Sequence, residues 1–334
     1  MAAERQTPPH PRETFSLQGH SAAEAAFEAA RARGRLHHAW LLTGPEGVGK
    51  ATFAYRAARR LLGAPPTTEG ALSASPDHPV SRQIIARSHP DLLVLERQAP
   101  DGKPRKVIPV EETRALSEFF SKSPAVAAHR VAIVDAADDL NINAANAVLK
   151  TLEEPPPRGV ILLVSHSPGR LLPTIRSRCR RLGFQALPEA DAAAFVREQA
   201  GVEFEDSLRL ARMAGGSPGR AWALAAAGAV ALDDAAREIV QHLPALNEAS
   251  ALALADRFRG GEGPAQFALL FERLADRVHD QVVLRARESA GALDRWVQAW
   301  ETLQRLPREV EAVNLDRADA FFTALSELRD AARA

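Results

Sequence analysis

The sequence contains a single cysteine, Cys179, among its 334 residues. One thiol cannot form a disulfide within the chain, and it cannot build a cysteine-rich zinc site. The sequence also lacks any run of 18 apolar residues, so it predicts no membrane span. Its first 13 residues are polar and contain proline, without the apolar core of a secretory signal peptide. We therefore expect a cytoplasmic protein.

An excess of charge of either sign is also absent, because 42 Lys and Arg residues balance 42 Asp and Glu residues. Net charge therefore gives no support for a nucleic-acid binder, and such a role would have to come from a local patch. A hydrophobic fraction of 46% and a charged fraction of 25% are those of an ordinary globular protein. The length predicts two or three domains.

The apolar pattern divides the chain near residue 185. Before this point, short apolar runs alternate with helical patterns, which indicates a parallel sheet covered by helices on both faces. After it, the sequence predicts helices alone. We predict a loose arm over 1–20, an α/β domain over 21–185, a helical domain over 186–242 and a second helical domain over 243–334. Turns are expected at Gly201, at 215–218, at Pro244, at 260–264 and at Pro307.

Two details of these elements can be predicted from capping residues. Ser21 and Glu24 have the spacing of a capping box, which would satisfy backbone donors at the start of a helix that runs to about Arg33. Asp138 and Asp139 are expected to begin a turn and cap the helix that follows them.

The most specific motif is a glycine-rich loop between a predicted strand and a predicted helix. It consists of Gly44, Pro45, Glu46, Gly47, Val48, Gly49 and Lys50, followed by Ala51. Glycines let successive N–H groups turn toward phosphate oxygens, and the helix start favours an anion. Lys50 would reach the β- and γ-phosphates of a nucleotide. The motif therefore predicts a nucleotide site.

Position 51 departs from this motif. A Ser or Thr hydroxyl is expected there, because it ligates the Mg²⁺ ion that bridges the phosphates. Ala51 has no such oxygen, and Thr52 is rotated away from that position by about 100° around the helix. The sequence thus retains the phosphate loop and lacks one metal ligand, and it leaves open whether a nucleotide binds.

A second segment, at the end of an apolar strand, carries Asp135 and then Ala136. An acid in this place usually holds Mg²⁺ directly or through water. In phosphate-loop ATPases that hydrolyse ATP in this way, the residue after the acid is a glutamate that activates water. Ala136 has no group that could do so. A strand-end acid with a solvated side chain is the alternative interpretation of Asp135.

A third segment, Ser177-Arg178-Cys179, lies in a basic run over 176–181. An arginine in such a place can enter a neighbouring subunit's site and stabilise the charge of a transferred phosphoryl group. On spacing alone, a solvated basic turn is the preferred interpretation. Cys179 is expected to be a small core-facing hydrophobe.

Together these segments resemble the bacterial clamp-loader branch of the AAA+ ATPases. The resemblance is carried by His-Ala-Trp-Leu-Leu-Thr-Gly-Pro at 38–45, by Asn-Ala-Val-Leu-Lys-Thr-Leu-Glu-Glu-Pro-Pro at 146–156 and by Ser-Arg-Cys at 177–179. The matching motifs are closely spaced over residues 36–185. Beyond this range only Gly-Ser-Pro-Gly-Arg at 216–220 matches, at the family's sensor-2 region.

The resemblance implies a RecA-like AAA+ core, a helical lid and a helical collar within a hetero-pentameric ring. Its partners would be gamma/tau ATPase subunits, a delta subunit, the sliding clamp and primed DNA. It also implies a nucleotide site in which Ser165 occupies the sensor-1 position and Arg220 the sensor-2 position. Arg178 would be an arginine finger that acts on the neighbour's ATP.

A zinc module often follows the phosphate-loop helix in this family. Residues 63–90 contain no cysteine, and His78 and His89 are too few to replace four ligands. We predict no zinc, with ATP as the one candidate cofactor, in a degenerate site.

Three hypotheses follow. The first is a clamp-loader subunit, part of a DNA polymerase holoenzyme, that is silent in its own site and supplies Arg178 to its neighbour. The second is an active AAA+ ATPase in which Thr52 and Asp138 replace the missing groups. The third is a phosphate-loop kinase, against which the long helical region after the core argues.

Overall fold

The computed structural model describes residues 7–97, 105–287 and 293–333. They belong to two compact units, one of 7–222 and one that begins at residue 223. Residues 1–6 of the predicted arm and residue 334 lie outside the described residues. The finer boundaries at 20, 185 and 242 stay predictions.

The first unit is built on a five-stranded parallel sheet. Its strands are β1 (Ala39–Thr43), β2 (Leu92–Glu96), β3 (Arg130–Asp135), β4 (Gly159–Ser165) and β5 (Arg180–Gly183). Their order across the sheet is β2-β3-β4-β1-β5, and every neighbouring pair is parallel. This order places β1 in the interior of the sheet, so that the loop after it emerges at the carboxyl edge beside the ends of β4 and β5.

Helices surround this sheet and follow it. They are α1 (Ser21–Ala32), α2 (Lys50–Leu61), α3 (Pro79–Ile85), α4 (Val110–Ser121), α5 (Ile142–Glu153), α6 (Pro173–Arg178), α7 (Glu189–Ala200), α8 (Phe204–Met213) and α9 (Pro218–Ala226). Short 3-10 turns lie at Pro11–Glu13, Ala137–Asp139 and Pro168–Arg170.

The two faces of the sheet have separate cores, because side chains alternate along each strand. On β1, Trp40 and Leu42 pack in a core with residues of α1 and α2 such as Phe27 and Phe53. Leu41 on the same strand packs in the opposite core with residues of α4, α5 and α6. The predicted class, an α/β core with a parallel sheet covered on both faces and followed by helices, is confirmed.

The predicted looseness of the N-terminal arm is wrong for residues 7–20. His10 lies 3.1 Å from a carboxylate oxygen of Glu96 at the end of β2. Arg59 of α2 donates to the Arg12 carbonyl, and its guanidinium lies 4.1 Å from the centre of the Phe15 ring. The polar composition of the arm did not predict these contacts. They are made by backbone carbonyls and single side chains, which form no apolar pattern along the sequence.

The predicted capping box at the start of α1 is also wrong. The helix begins at Ser21, but the N-cap residue is His20, which makes no side-chain capping bond. Glu24 instead accepts a 2.6 Å hydrogen bond from Nε of Arg56, and both side chains are buried. Pairing Glu24 with Arg56 offsets the desolvation of two buried charges. This contributes more free energy than a hydrogen bond from Glu24 to a backbone N–H at the helix start would.

A buried aspartate organises the entry to β3. Asp91 is fully buried, and its carboxylate accepts hydrogen bonds from the backbone N–H groups of Ala125, Val126 and Ala127 at 2.7, 2.8 and 2.9 Å. Nε of Arg130 lies 3.5 Å from the same carboxylate. Asp91 thereby fixes the turn that leads into the strand ending at Asp135.

The described residues of the second unit are helical, with α10 (Ala229–Gln241), α11 (Glu248–Asp256), α12 (Gly263–Arg287), α13 (Leu293–Val313) and α14 (Arg317–Arg333), and a 3-10 turn at Arg257–Arg259. Asp233 of α10 accepts two hydrogen bonds from Arg277 of α12, at 2.7 and 2.8 Å. None of the helices described in the chain has the length and apolarity needed to cross a membrane.

The expected turn at Pro307 is wrong, because this proline lies inside α13. Leu303, Leu306 and Val310 are all buried, so one apolar face continues past the proline. A proline within a helix costs about 3 kcal/mol. Burial of a leucine or valine side chain contributes about 1.5–3 kcal/mol, so the three together outweigh this cost.

Candidate functional site

The glycine-rich loop connects β1 to α2, as the motif predicts. Gly44 has φ 151°, and a Cβ atom there would lie 2.2 Å from the carbonyl oxygen of Phe184. Gly47 has φ 73°, and a Cβ atom there would lie 2.4 Å from the backbone nitrogen of Arg220. Both positions therefore require glycine for conformation and for space.

Lys50 is the first residue of α2 and is almost fully buried. Its ammonium group donates to the Gly44 carbonyl at 2.7 Å and to the Pro45 carbonyl. Burial lowers the pKa of Lys50 to about 8, although the carboxylates of Asp135 and Glu46 partly oppose this shift. To reach a phosphate, the ammonium would have to exchange the contacts with its own loop.

The two positions that lack functional groups lie beside this loop. Ala51 is half-buried and packs against the core on the α2 face of the sheet. Ala136 is buried in the same core. A methyl group at either position supplies no metal ligand and no base. Of the groups that a bound nucleotide and its metal would need, these two positions therefore supply none, and the loop supplies only those that hold phosphate.

Asp135 lies at the carboxyl end of β3, in register with Glu96 on β2. Burial raises the pKa of Asp135 to about 6, and the nearby Glu96 carboxylate adds to this effect. His10 and Lys50 act in the opposite direction. Asp135 therefore lies within electrostatic reach of Lys50 in the phosphate loop, in surroundings that make its ionisation more costly than in water.

Asp138 does not cap the following helix. Its carboxylate accepts hydrogen bonds from Oγ of Ser165 at 3.0 Å and from the backbone N–H groups of His166 and Ser167 at 2.7 and 3.0 Å. The N-cap of α5 is Asn141, whose side chain accepts from the Ala144 N–H at 2.9 Å. The expected turn is confirmed, because Ala137–Asp139 form a 3-10 turn. The expected cap is wrong, because Ser165 at the end of β4 and the two N–H groups after it supply three donors to Asp138.

The contact with Asp138 also locates the predicted sensor-1 residue. Ser165 is the last residue of β4 and is fully buried, and its hydroxyl is directed to Asp138. Both carboxylate oxygens of Asp138 are engaged with the segment after β4, which argues against Asp138 as the base of an active ATPase.

The segment that matches the sensor-2 region reaches the phosphate loop through its backbone. The N–H of Gly219 donates to the Gly47 carbonyl at 2.9 Å. Arg220, which follows it on α9, is half-buried. The structure therefore brings the backbone of Arg220 to the loop, although the two segments are far apart in sequence.

Two residues of the arm also contact the loop, and no motif in the sequence predicts these contacts. A ring nitrogen of His20 lies 2.9 Å from the Val48 carbonyl. Burial lowers the pKa of His20, although this contact with Val48 opposes the shift. A Cβ atom at Gly49 would lie 2.6 Å from Leu17. The arm thus covers the side of the loop that leads into α2.

Arg178 is the last residue of α6, not part of a solvated turn. Its Nη2 lies 3.0 Å from a carboxylate oxygen of Glu153, and its Nη1 donates to the Thr174 carbonyl at 3.1 Å. The side chain is 36% exposed. The residues that follow it turn back to β1, since Arg181 donates to the hydroxyl of Thr43 at 3.0 Å.

Cys179 packs against the core on the α5 face of the sheet. Burial raises the pKa of its thiol to about 12. The thiolate is the reactive form and an ordinary thiol has a pKa near 8.5, so we expect the folded chain to react with a thiol reagent at pH 8 at least ~100-fold more slowly than the urea-unfolded chain. A spectrophotometric labelling assay measures both rates, and equal rates would contradict burial of this thiol.

Among residues 7–97, 105–287 and 293–333, no group of three or more His, Cys, Asp or Glu side chains is arranged to hold a metal ion. The absence of zinc stays a prediction.

The chain is similar to subunits of DNA polymerase III. The family described as "DNA polymerase III, delta subunit" matches residues 19–188, just over half of the chain. The DNA polymerase III subunit delta' of Pseudomonas aeruginosa is 37% identical over 199 residues, which cover 58% of each chain. Subunit delta' of Escherichia coli K12 is 35% identical over 192 residues, covering 57% of this chain and 55% of the relative.

A subunit of another kind aligns over more of the chain. The DNA polymerase III subunit gamma/tau of Mycobacterium bovis is 29% identical over 357 aligned residues, covering 96% of this chain and 58% of the relative. The chain spans little more than half the length of each of these three relatives. The family match contains the phosphate loop, Asp135, Ser165 and Arg178, and the chain belongs to the delta-prime family of clamp-loader subunits of bacterial DNA polymerase III.

Proposed function

We propose that this chain braces a clamp-loader ring and supplies Arg178 to the ATP of a neighbouring gamma/tau subunit. In this role it helps to place the sliding clamp on primed DNA during replication. It acts as a scaffold and activator in trans, in the cytoplasm, and has no polymerase activity and no significant ATPase activity by itself.

The observation that carries this proposal is the position of Arg178. Its guanidinium lies at the exposed end of a short helix and is held by Glu153 and Thr174. An arginine that is presented at a surface and pre-ordered by two contacts is suited to reach a phosphoryl group on another subunit.

The composition of the chain's own site supports the other half of the proposal. Gly44 to Lys50 and Asp135 would hold the phosphates and the metal of a nucleotide. Ala51 and Ala136 would supply neither the metal-ligating hydroxyl nor the carboxylate that activates water. ATP is therefore a candidate ligand of this site, and its hydrolysis there is not expected.

The ring that this role requires has the delta subunit, gamma/tau subunits and this chain as its members. The relatives named above include both delta' and gamma/tau subunits, which supports assembly of chains of this kind. The helical residues after 242 are proposed to form the collar that joins the subunits into a pentamer.

In the part of the chain that the structure describes, no contact favours the alternative of an active ATPase. Asp138 is engaged by Ser165, His166 and Ser167, and Thr52 lies one position beyond the place of the metal-ligating hydroxyl. A kinase would require a site for a phosphate acceptor and would act without partner subunits, and the family match to clamp-loader subunits does not support this.

A reconstituted complex separates the two halves of the proposal. We expect addition of this chain to gamma/tau and delta subunits to stimulate ATP hydrolysis, and a Lys50→Ala chain to stimulate it to the same extent within about twofold. The reason is that Arg178, and not the local loop, acts on the hydrolysed nucleotide. Coupled-enzyme detection of ADP release measures both rates, with circular dichroism to verify that the variant folds.

Turnover of ATP by the isolated chain, abolished by Lys50→Ala, would instead support the active ATPase. Calorimetric titration of the chain with ATP, with and without Mg²⁺, then decides whether the silent site still binds a nucleotide. A strong dependence of that affinity on Mg²⁺ would contradict the loss of the metal ligand at Ala51.

A further inference from the structure

Two of the segments that resemble clamp loaders meet in space where their helices, α5 and α6, end. Glu153 ends α5, which carries the Asn-Ala-Val-Leu-Lys-Thr-Leu-Glu-Glu-Pro-Pro sequence, and Arg178 ends α6, which carries Ser-Arg-Cys. Nη2 of Arg178 lies 3.0 Å from Oε1 of Glu153. Both side chains are partly exposed, at 36% for Arg178 and 51% for Glu153.

The helices beneath this ion pair are fixed by the core. Leu152, next to Glu153, and Ile175, one turn before Arg178, are almost fully buried in the same apolar cluster. Pro155 follows within two residues and prevents α5 from continuing. The backbone of Glu153 is therefore held in place by the core, and its carboxylate can hold the guanidinium of Arg178 in one position.

The guanidinium is held from two sides. Thr174 accepts a hydrogen bond from Nη1 at 3.1 Å, and Glu153 forms an ion pair with Nη2 at 3.0 Å. An arginine side chain has about 2 kcal/mol of rotamer entropy, and part of this is lost whenever the side chain is ordered for a task. Contacts made in advance reduce that cost when the arginine engages a partner.

We propose that Glu153 is a positioning residue that pre-orders Arg178 for its action on the neighbouring subunit. This inference rests on the proposed function of Arg178 and assigns a role to a residue of the helix beside it. The carboxylate touches no nucleotide itself and acts through the guanidinium.

Removal of the carboxylate should affect turnover more than folding. We expect Glu153→Ala to lower the kcat of ATP hydrolysis at the neighbouring site by about two- to tenfold, because each ordered side chain contributes on this scale. KM for ATP should stay unchanged, because nucleotide binding belongs to the partner. Glu153→Gln keeps the length of the side chain and a polar oxygen beside Nη2 but loses the charge, so its kcat should lie between those of Glu153→Ala and wild type.

Glu154 provides a matched control. It is the next residue, it is also an exposed glutamate, and it follows the end of α5. Glu154→Ala removes the same charge from the same surface, so it should leave kcat within about 1.5-fold of wild type if the effect of Glu153 depends on contact with Arg178. An equal loss in both variants would overturn the inference in favour of general surface charge.

A double substitution links the effect to the arginine. In an Arg178→Ala background, Glu153→Ala should cause no further loss of kcat, because the group that it positions is gone. A full additional loss would overturn the inference, and so would a higher kcat for Glu153→Ala alone, which would mean that the ion pair restrains the arginine.

The same series distinguishes failure of this inference from failure of the proposed function. If Arg178→Ala leaves hydrolysis unchanged, the proposed function of Arg178 is wrong. If Arg178→Ala slows hydrolysis and Glu153→Ala does not, the function stands and the positioning role of Glu153 is wrong.

Discussion

Arg178→Ala is expected to slow ATP hydrolysis at the neighbouring ATPase site by about 10³-fold or more. An arginine supplied in trans stabilises the charge that develops on the transferred phosphoryl group, and such residues raise rates by roughly 10³–10⁵. The arginine is only partly buried, and its contacts are an exposed ion pair and one carbonyl. Its loss should therefore change the free energy of unfolding by less than about 1 kcal/mol.

The measurement should isolate the affected site. In a ring with several ATPase subunits, steady-state turnover falls only by the contribution of the site that faces this chain. A single-turnover experiment with rapid quenching resolves the loss of that site as a missing fast phase. The time course of clamp loading on primed DNA provides a second readout that depends on completion of the cycle.

Arg176→Ala is the matched control for this experiment. Arg176 lies on the same short helix, has the same charge and is exposed. We expect its replacement to leave the fast phase intact. If both variants lose the fast phase equally, or if neither does, Arg178 has no special role in hydrolysis.

Asp91→Ala is expected to destabilise the first unit by about 3–5 kcal/mol. It leaves three backbone donors at 125–127 without their acceptor and removes the carboxylate that faces the buried Arg130, and loss of one member of a buried ion pair costs about this much. Urea unfolding followed by tryptophan fluorescence should show a lower midpoint with a similar slope.

The contribution of Asp91 should also depend on pH in one direction. Burial alone would raise the pKa of Asp91, but the three backbone donors and Arg130 together lower it below its usual value. A lowered carboxyl pKa stabilises the folded state fully above the unfolded value of about 3.9, and this contribution is lost as the pH falls through the folded value. The stability difference between wild type and Asp91→Ala should thus narrow only below about pH 4.

An exposed acid serves as the reference for Asp91. Glu118 lies 2.9 Å from Lys122 on the surface of α4, and its replacement by alanine should leave the urea midpoint unchanged within error. A midpoint for Asp91→Ala equal to that of Glu118→Ala would contradict the role of Asp91 as an internal cap for the turn before β3.

The parts of this molecule that can be predicted from its sequence are those governed by neighbours along the chain. The parallel sheet follows from apolar runs such as 131–134, and the phosphate loop follows from the spacing between Gly44 and Lys50. The end of α1 at Ala32, two residues before Gly34, and the end of α5 at Glu153, two residues before Pro155, follow from residues that stop helices. In each case a few adjacent residues determine the local backbone.

The missed features depend on pairs that are distant in sequence. Glu24 has the spacing of a cap, but Arg56 is 32 residues away and competes for it as a buried partner. The spacing around Asp138 likewise indicates a helix start, while its partners are Ser165 at the end of β4 and the two residues that follow it. A polar side chain takes the arrangement with the most complete set of partners, and one-dimensional spacing does not contain the distant ones.

The close packing of the phosphate loop has a consequence for how such loops are interpreted. Gly44 lies against the backbone of Phe184, and Gly47 lies against the backbone of Arg220, so the folded chain itself requires both glycines. Both glycines thus serve the packing of the folded chain as well as any phosphate that the loop holds. A chain that bound no nucleotide would still need both of them to fold. The presence of these glycines is therefore evidence of packing, and by itself it is not a sign of ATPase activity.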